Sequence, residues 1–302
     1  MTSSTFRSYA KVNLHLQVVA RRPDGHHELR TVFQSIDLHD RIGLEVSPAG
    51  VVRLEVVGAE LSAGPENLVV RAMEAFRERW APGLGVSARL EKRIPLGGGL
   101  GGGSSNAATT LLGLRWLVGA PATVEELWPV ARSLGADVPF FLLGGTALGF
   151  GRGDELVPLV EPKRSTLWLA LPPVQVATGR IFKSLGDLTE APLAPSIGGL
   201  LRVPTPRRVE LERLCGWNDL QETVFGLHPE IAEIGAILES AGASWVRLSG
   251  SGSTLVARFR EAQVAAAAAS RLPAGCRLLP VRTLARQSWR RQWAVPARDG
   301  RS

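Results

Sequence analysis

Seven consecutive residues constrain this chain most: Gly97-Gly98-Gly99-Leu100-Gly101-Gly102-Gly103, with glycine at every position but one. Glycine carries no Cβ, so the backbone can take positive φ and its N–H groups can come close to an anion. A strand-like stretch, residues 84–90, leads into the run. Behind it, Ser104-Ser105-Asn106 opens a helix expected to run to about Val118 and to stop at Gly119. Ser and Asn are favourable N-caps, and glycine is a common helix stop. A helix N-terminus behind such a loop offers unpaired donors and a favourable dipole to a phosphate. A merely tight turn rarely needs this many glycines, so the loop reads as a phosphate cradle.

Several phosphate and catalytic loops are excluded or disfavoured by the rest of the sequence. A Walker A loop ends in Gly-Lys-Ser/Thr. The four lysines, Lys11, Lys92, Lys163 and Lys183, follow Ala10, Glu91, Pro162 and Phe182, so no Gly-Lys pair exists. Gly97-x-Gly99-x-x-Gly102 satisfies the dinucleotide fingerprint, but its context is wrong. The loop follows several strands that do not alternate with helices, and no strand ending in an acidic residue lies about 20 residues on. There is no H-R-D, D-F-G or G-x-S-x-G, which argues against a protein kinase and an α/β-hydrolase. The five histidines form no H-E-x-x-H, and Cys215 and Cys276 have no zinc spacing. They read as buried free thiols of a reducing compartment.

The 302 residues are 45% hydrophobic and 21% charged, an ordinary globular balance that allows one large domain or two medium ones. Residues 1–8 are polar with no apolar stretch behind them, and no apolar run approaches a membrane span. The expectation is a soluble, cytoplasmic protein. Net charge is +7. Residues 284–302 carry Arg286, Arg290, Arg291, Arg298 and Arg301 against Asp299, a net +4. With Trp289 and Trp293, such a tail could touch nucleic acid. A solvated, partly disordered terminus is the preferred reading, with no nucleic-acid or membrane partner.

Along the chain, residues 6–20, 29–38, 41–46, 51–57 and 84–90 read as strands, and Arg21-Arg22-Pro23-Asp24-Gly25 as a turn. Residues 66–80 form an amphipathic helix with Leu68, Ala72, Ala75 and Phe76 on one face. Thr123-Val124-Glu125-Glu126 is a capping box opening a helix that stops near Gly135, and Asp137-Val138-Pro139 follows. Strands are expected at 146–150, 156–160, 167–171, 245–248 and 254–259, with helices at 230–241 and 261–271. Residues 186–206, rich in Pro and Gly, read as a long loop, and Ser249-Gly250-Ser251-Gly252-Ser253 as a second glycine-rich turn. Strands first and mixed elements later indicate an α+β protein. The expected domains are 1–160 and 161–283, followed by the basic tail 284–302.

Pro95-Leu96-Gly97-Gly98-Gly99-Leu100-Gly101-Gly102-Gly103-Ser104-Ser105-Asn106-Ala107-Ala108 resembles the central ATP motif of the GHMP kinases. The extra glycines before Ser-Ser-Asn are similar to the branch acting on a cytidine-diphosphate derivative of methylerythritol. Ala10-Lys11-Val12-Asn13-Leu14, Arg22-Pro23-Asp24-Gly25-His26-His27-Glu28-Leu29 and Leu134-Gly135-Ala136-Asp137-Val138-Pro139-Phe140-Phe141 fit the same branch. So do Asn218-Asp219-Leu220 and Leu248-Ser249-Gly250-Ser251-Gly252. The match covers about residues 9–259 in order and spacing.

The resemblance implies a two-domain fold: an N-terminal ribosomal-S5-like domain, a C-terminal ferredoxin-like domain and an active site in the cleft between them. It implies ATP-dependent phosphorylation of the 2-hydroxyl of that cytidine-diphosphate substrate, within the non-mevalonate route to isoprenoids, by a monomer or homodimer. Lys11 and Asp137 match the family's catalytic pair, Pro95 to Ser105 its ATP phosphate loop, and Asn67 a position near the nucleotide. Asn13, His26, His27, Thr178 and Phe182 match its substrate-binding positions. Mg²⁺ is expected to arrive with ATP, helped by Ser105, with no metal site of the protein's own. One position departs: the family's stacking Tyr is His26 here, a ring of smaller area and possible charge.

Read from the residues alone, Asp137 fits a helix-end turn, Lys11 a snorkelling surface lysine, and the 249–253 turn a hairpin connection. Lysine is scarce here against 31 arginines, and a lysine inside an apolar strand suggests a need for a compact ammonium. Two alternatives stay open: another GHMP kinase, for homoserine or mevalonate, and a non-enzymatic binding protein using the Arg/Trp tail.

Overall fold

The computed structural model of the chain describes residues 2–48, 50–119, 122–185 and 210–293. Its first sheet is built on one long hairpin, β1 (Thr2–Arg21) and β2 (His27–Ser47), in register from Thr2↔Val46 to Arg21↔His27. The two strands expected at 29–38 and 41–46 are therefore one. The hairpin ladder continues through His39 and Asp40, polar residues that interrupt the apolar pattern without interrupting backbone pairing. β3 (Val52–Val57), β4 (Gly85–Glu91), β5 (Thr146–Phe150) and β6 (Glu155–Pro158) complete this sheet in the order β3-β4-β2-β5-β6, with β1 on β2.

Three helices cover the first sheet: α1 (Leu68–Trp80), α2 (Gly102–Val118) and α3 (Val124–Leu134). Asn67 caps α1, its Oδ1 accepting from Val69 N–H at 2.9 Å. The buried face of α1 is Val69, Ala72, Met73 and Phe76, the i, i+3, i+4, i+7 spacing of an apolar stripe. Leu68 and Ala75, expected on that face, are only half-buried. The Thr123–Glu126 capping box forms at the start of α3 as anticipated. The core beneath holds Phe6, Ile42, Leu44, Phe76, Leu111 and Phe140.

The second sheet runs β10-β7-β9-β8, with β7 (Thr166–Leu171), β8 (Trp245–Leu248), β9 (Leu255–Arg258) and β10 (Arg277–Arg282), all antiparallel. α5 (Thr178–Lys183), α6 (Leu220–Leu227), α7 (Pro229–Ser240) and α8 (Ala262–Ala269) follow its strands and share a separate core with Ile231, Leu238, Val246 and Phe259. A third apolar cluster joins the sheets, with Val12, Leu14 and Ile36 from the first meeting Leu167, Leu169 and Val256 from the second. β1 is thus buried on both faces, which explains its loose alternation in sequence.

Short α4 (Phe140–Leu143) links α3 to β5, and α9 (Arg286–Arg290) lies near the end of the described chain. The solvated terminus expected from residue 284 is instead packed through residue 293. Trp289 is 4% exposed within the first domain's core, and Trp293 stacks on Phe6 at 5.1 Å. Charge counting missed this because two indoles bring enough apolar area to outweigh their arginine neighbours. The long loop expected at 186–206 lies outside the described residues. Cys215 and Cys276 are free and half-buried, and burial pushes the Cys215 thiol up to about 12. Among the described residues no helix is long and apolar enough to cross a membrane.

Candidate active site

The glycine run crosses from β4 to α2 and curls against the second domain. Gly99 and Gly101 take φ of 71° and 69°, the left-handed region that other residues enter at a cost. Close approach adds a second reason for glycine. A Cβ on Gly101 would stand 2.7 Å from Phe141 Cζ and 3.1 Å from Lys11 Cγ, and one on Gly99 would overlap the Ser249 carbonyl. The second glycine-rich turn clasps the first. Ser249 Oγ donates to Gly99 O at 3.0 Å and Thr254 N–H to Gly98 O at 3.3 Å. Asn218 shapes that turn by donating to the carbonyls of Leu248 and Gly250, at 2.9 and 2.7 Å.

Together these loops wall a cavity of about 320 Å³ lined by Pro95 to Ser104, Lys11, Asp137, Leu68, Lys92, Thr178 and Ser251. Two expected residues sit elsewhere. Ser105 is 1% exposed, and its Oγ donates to Tyr9 O at 2.6 Å and accepts from Ser8 at 2.8 Å. It stands on the buried side of α2, so it is not free to assist a metal ion. Asn67 spends its side chain on the α1 cap and on Ser62 O, at 2.6 Å. Only its neighbour Leu68 reaches the cavity.

Lys11 and Asp137 meet at the cavity wall. Lys11 is 3% exposed, and its Nζ lies 3.4 Å from Asp137 Oδ2. The same ammonium donates to Asn13 Oδ1 at 2.6 Å and to Gly99 O at 2.9 Å, and it lies 5.5 Å from the Phe33 ring centre. An ammonium has three protons, and three acceptors converge on it. Asn13 itself is buried, and its Nδ2 donates to Thr31 Oγ1 at 2.7 Å. The structure therefore places Asn13 as the holder of Lys11, away from the lining of either cavity. Asp137, just beyond the end of α3, keeps about a third of its side chain exposed and faces the cavity.

A second, larger cavity of about 980 Å³ adjoins the first, and Thr178 lines both. His27 and Phe182 stack at 5.1 Å with their planes 29° apart, forming an aromatic wall. His26, 58% exposed at the 22–27 turn, lines the same space. Burial holds the His27 imidazole below its usual range, and the charges of Arg21 and His26 lower it further. Arg21, Arg152 and Lys183 line this cavity, giving it a positive field suited to an anionic ligand. Thr178 Oγ1 and Ser251 Oγ pair at 2.6 Å where the cavities meet.

Sequence reasoning missed a buried polar cluster beneath the glycine loop. Asp40, fully buried, accepts from Arg93 N–H at 2.6 Å, Ile94 N–H at 2.8 Å and Asn106 Nδ2 at 2.9 Å, and it pairs with Lys92 Nζ. One carboxylate thereby ties the residues entering the loop to the helix leaving it. The scarcity of lysine, which drew attention to Lys11, applies equally to Lys92 and was the available signal. Among the described residues no three His, Cys, Asp or Glu side chains gather as a metal site.

Fold and site together define a small-molecule kinase with two adjoining cavities. The models of the GHMP kinases N terminal domain and the GHMP kinases C terminal match residues 67–145 and 205–278. The chain is 40% identical over 262 residues to the 4-diphosphocytidyl-2-C-methyl-D-erythritol kinase of Solibacter usitatus, covering 84% of this chain and 81% of that protein. It is 38% identical over 278 residues to the protein of that name from Geobacter sulfurreducens, covering 91% and 96%. A crystal structure of 4-(cytidine 5'-diphospho)-2C-methyl-D-erythritol kinase superposes with TM-score 0.73 at 37% identity, covering 93% of this chain and 99% of that one. Homoserine kinase from Cytophaga hutchinsonii shares the fold alone, at TM-score 0.67 and 19% identity, covering 94% and 95%. The chain belongs to the GHMP kinase family and, within it, to the 4-diphosphocytidyl-2-C-methyl-D-erythritol kinases.

Proposed function

We propose that this protein transfers the γ-phosphoryl group of ATP to the 2-hydroxyl of 4-diphosphocytidyl-2-C-methyl-D-erythritol, as a soluble enzyme of the cytoplasm. The observation that carries the reading is the Lys11–Asp137 pair, which lines the glycine-loop cavity close to a second cavity that is cationic and aromatic. The glycine loop fits ATP phosphates, since it lines the cavity with left-handed glycines at 97, 99 and 101 and leads into the N-terminus of α2. The larger cavity fits a cytidine diphosphate. The His27–Phe182 wall offers a surface for the base, and Arg21, Arg152 and Lys183 offer charge to the diphosphate.

Phosphoryl transfer needs positioning and charge stabilisation more than covalent help. Asp137 Oδ2 accepts the proton of the attacking hydroxyl. Lys11, held by Asn13 and Gly99 and 3.4 Å from Asp137, offsets the negative charge on the transferring group. The loop N–H groups and the α2 N-terminus hold the ATP phosphates. Mg²⁺ carried with ATP would neutralise phosphate charge, and Asp137 and Ser104, which line the cavity, would be oxygen donors available to hold it. The Arg/Trp binding alternative loses support, because Trp289 is buried and Trp293 is stacked on Phe6.

The reading is tested by following ADP release with the cytidine substrate for the wild type, Asp137→Ala and Lys11→Met. Turnover is expected to fall by roughly 10²–10⁴-fold in the Asp137 variant, with ATP affinity nearly intact. Near-normal turnover in Asp137→Ala would remove the assigned base.

A further inference from the structure

We infer that the C-terminal segment 284–293 is an interdomain strap that positions Asp137, with Trp289 and Arg286 as its positioning residues. The inference rests on Asp137 being the base of the proposed reaction. The segment leaves the second sheet at the end of β10 and crosses to the first. Thr283 bridges Ile36, Leu284 N–H donates to Ser35 O at 2.8 Å, and Gln34 Nε2 donates to Leu284 O at 3.2 Å. Arg286 then grips the turn after α4. Its Nε donates to Gly144 O at 3.1 Å and its Nη2 to Thr146 O at 2.5 Å, while Glu161 accepts from its backbone N–H at 3.1 Å.

Trp289 closes the grip. Its ring lies directly on Gly144, where a Cβ would stand 2.5 Å from Trp289 Cδ2. Gly144 N–H in turn ends α4 by donating to Phe140 O at 2.8 Å. α4 has four residues, too few for a helix to hold itself without tertiary contacts. Asp137 precedes it by three residues. At its middle, Phe141 abuts Gly101 and the glycine loop. The segment 137–144 is therefore held from two sides, by the phosphate loop and Lys11 at the cavity and by the strap at its far end. Loosening the strap frees the far end, and Asp137 loses its fixed place beside Lys11. A misplacement of about 1 Å can cost ~10²-fold in rate. The effect falls on kcat, because neither cavity is lined by Trp289 or Arg286.

The test uses the full chain with Trp289→Ala, Trp289→Phe and Arg286→Gln, with kcat normalised to the folded fraction from circular dichroism. Expected is a fall in kcat of at least ~10-fold for Trp289→Ala and Arg286→Gln, with KM for ATP and for the cytidine substrate within about twofold. Trp289→Phe, which keeps an aromatic ring on Gly144, is expected to recover most of that loss. Wild-type kcat per folded molecule, or a change confined to KM, would overturn the inference. If Trp289→Ala does not fold, Arg286→Gln decides by the same criterion. Asp137→Asn is run alongside. Should that variant stay active, the assignment of the base fails. Should it be inactive while the strap variants keep full kcat, the strap alone fails.

Discussion

Substituting Gly101 by Ala places one methyl group between the phosphate loop and the catalytic pair. Two costs can be worked from the geometry. The backbone at φ 69° is a left-handed conformation that costs a non-glycine residue about 1–3 kcal/mol. The new Cβ would also lie 2.7 Å from Phe141 Cζ and 3.1 Å from Lys11 Cγ. Ordinary carbon contacts are about 3.5–4.0 Å, so Phe141 must retreat by roughly 1 Å, an overpacking worth about 1–3 kcal/mol. The sum, about 4 kcal/mol at its centre, corresponds to a fall in Tm of roughly 8–16 °C. Lys11 pairs with Asp137 and Phe141 lies four residues after it in the same segment, so kcat is expected to fall by about 10²-fold. Gly103→Ala is the control. Gly103 is helical, and its Cβ would meet only Leu68 Cδ1 at 3.5 Å, so Tm is expected to hold or rise. Thermal unfolding and steady-state ADP release measure both. Gly101→Ala within about 1 °C of wild type, or an equal fall in Gly103→Ala, would refute the reasoning.

Asp40→Ala is expected to cost about 3–5 kcal/mol, because it leaves the Lys92 ammonium buried without its counter-charge and frees both shoulders of the glycine loop. A lower urea midpoint with an unchanged m-value reads this out, and a loss below about 1 kcal/mol would contradict it. His15 supplies a pH dependence. It is buried against Trp217, and among the described residues its ring nitrogens have no hydrogen-bond partner. Burial pushes its imidazole from 6.5 down to about 4. Between those values the unfolded chain binds the extra proton, so stability falls as pH drops from 6.5 to 4, by about 3 kcal/mol in all. His15→Leu should flatten that slope in urea titrations, and an unchanged slope would assign it to other groups.

Much of the fold could be read from residue pattern because local signals agreed with tertiary ones. The capping box at Thr123 and the glycine stop at Gly119 mark real helix ends. Pattern failed where tertiary pairing overrode it. Asp40 broke the apolar run of β2, yet it is buried as the anchor of Lys92, Arg93 and Ile94. Trp289 looked like part of a basic tail, but Gly144 supplies a flat place for its ring. The site was legible as a set of residue types, with Lys11, Asp137 and the glycine loop brought together. The division of labour within it was not. That Asn13 serves Lys11, and that Ser105 faces the protein interior, depends on which way a strand or helix turns its side chains, and β1 with its three register shifts hides that in sequence.

The central claim is tested most directly by identifying the product. Purified protein is incubated with Mg-ATP and 4-diphosphocytidyl-2-C-methyl-D-erythritol, with homoserine and mevalonate in parallel, and the products are examined by mass spectrometry and phosphorus NMR. The account predicts ADP and a product one phosphate heavier, esterified at the 2-hydroxyl, from the cytidine substrate alone. Phosphorylation of homoserine or mevalonate instead, or ATP binding with no transfer to any of the three, would contradict it.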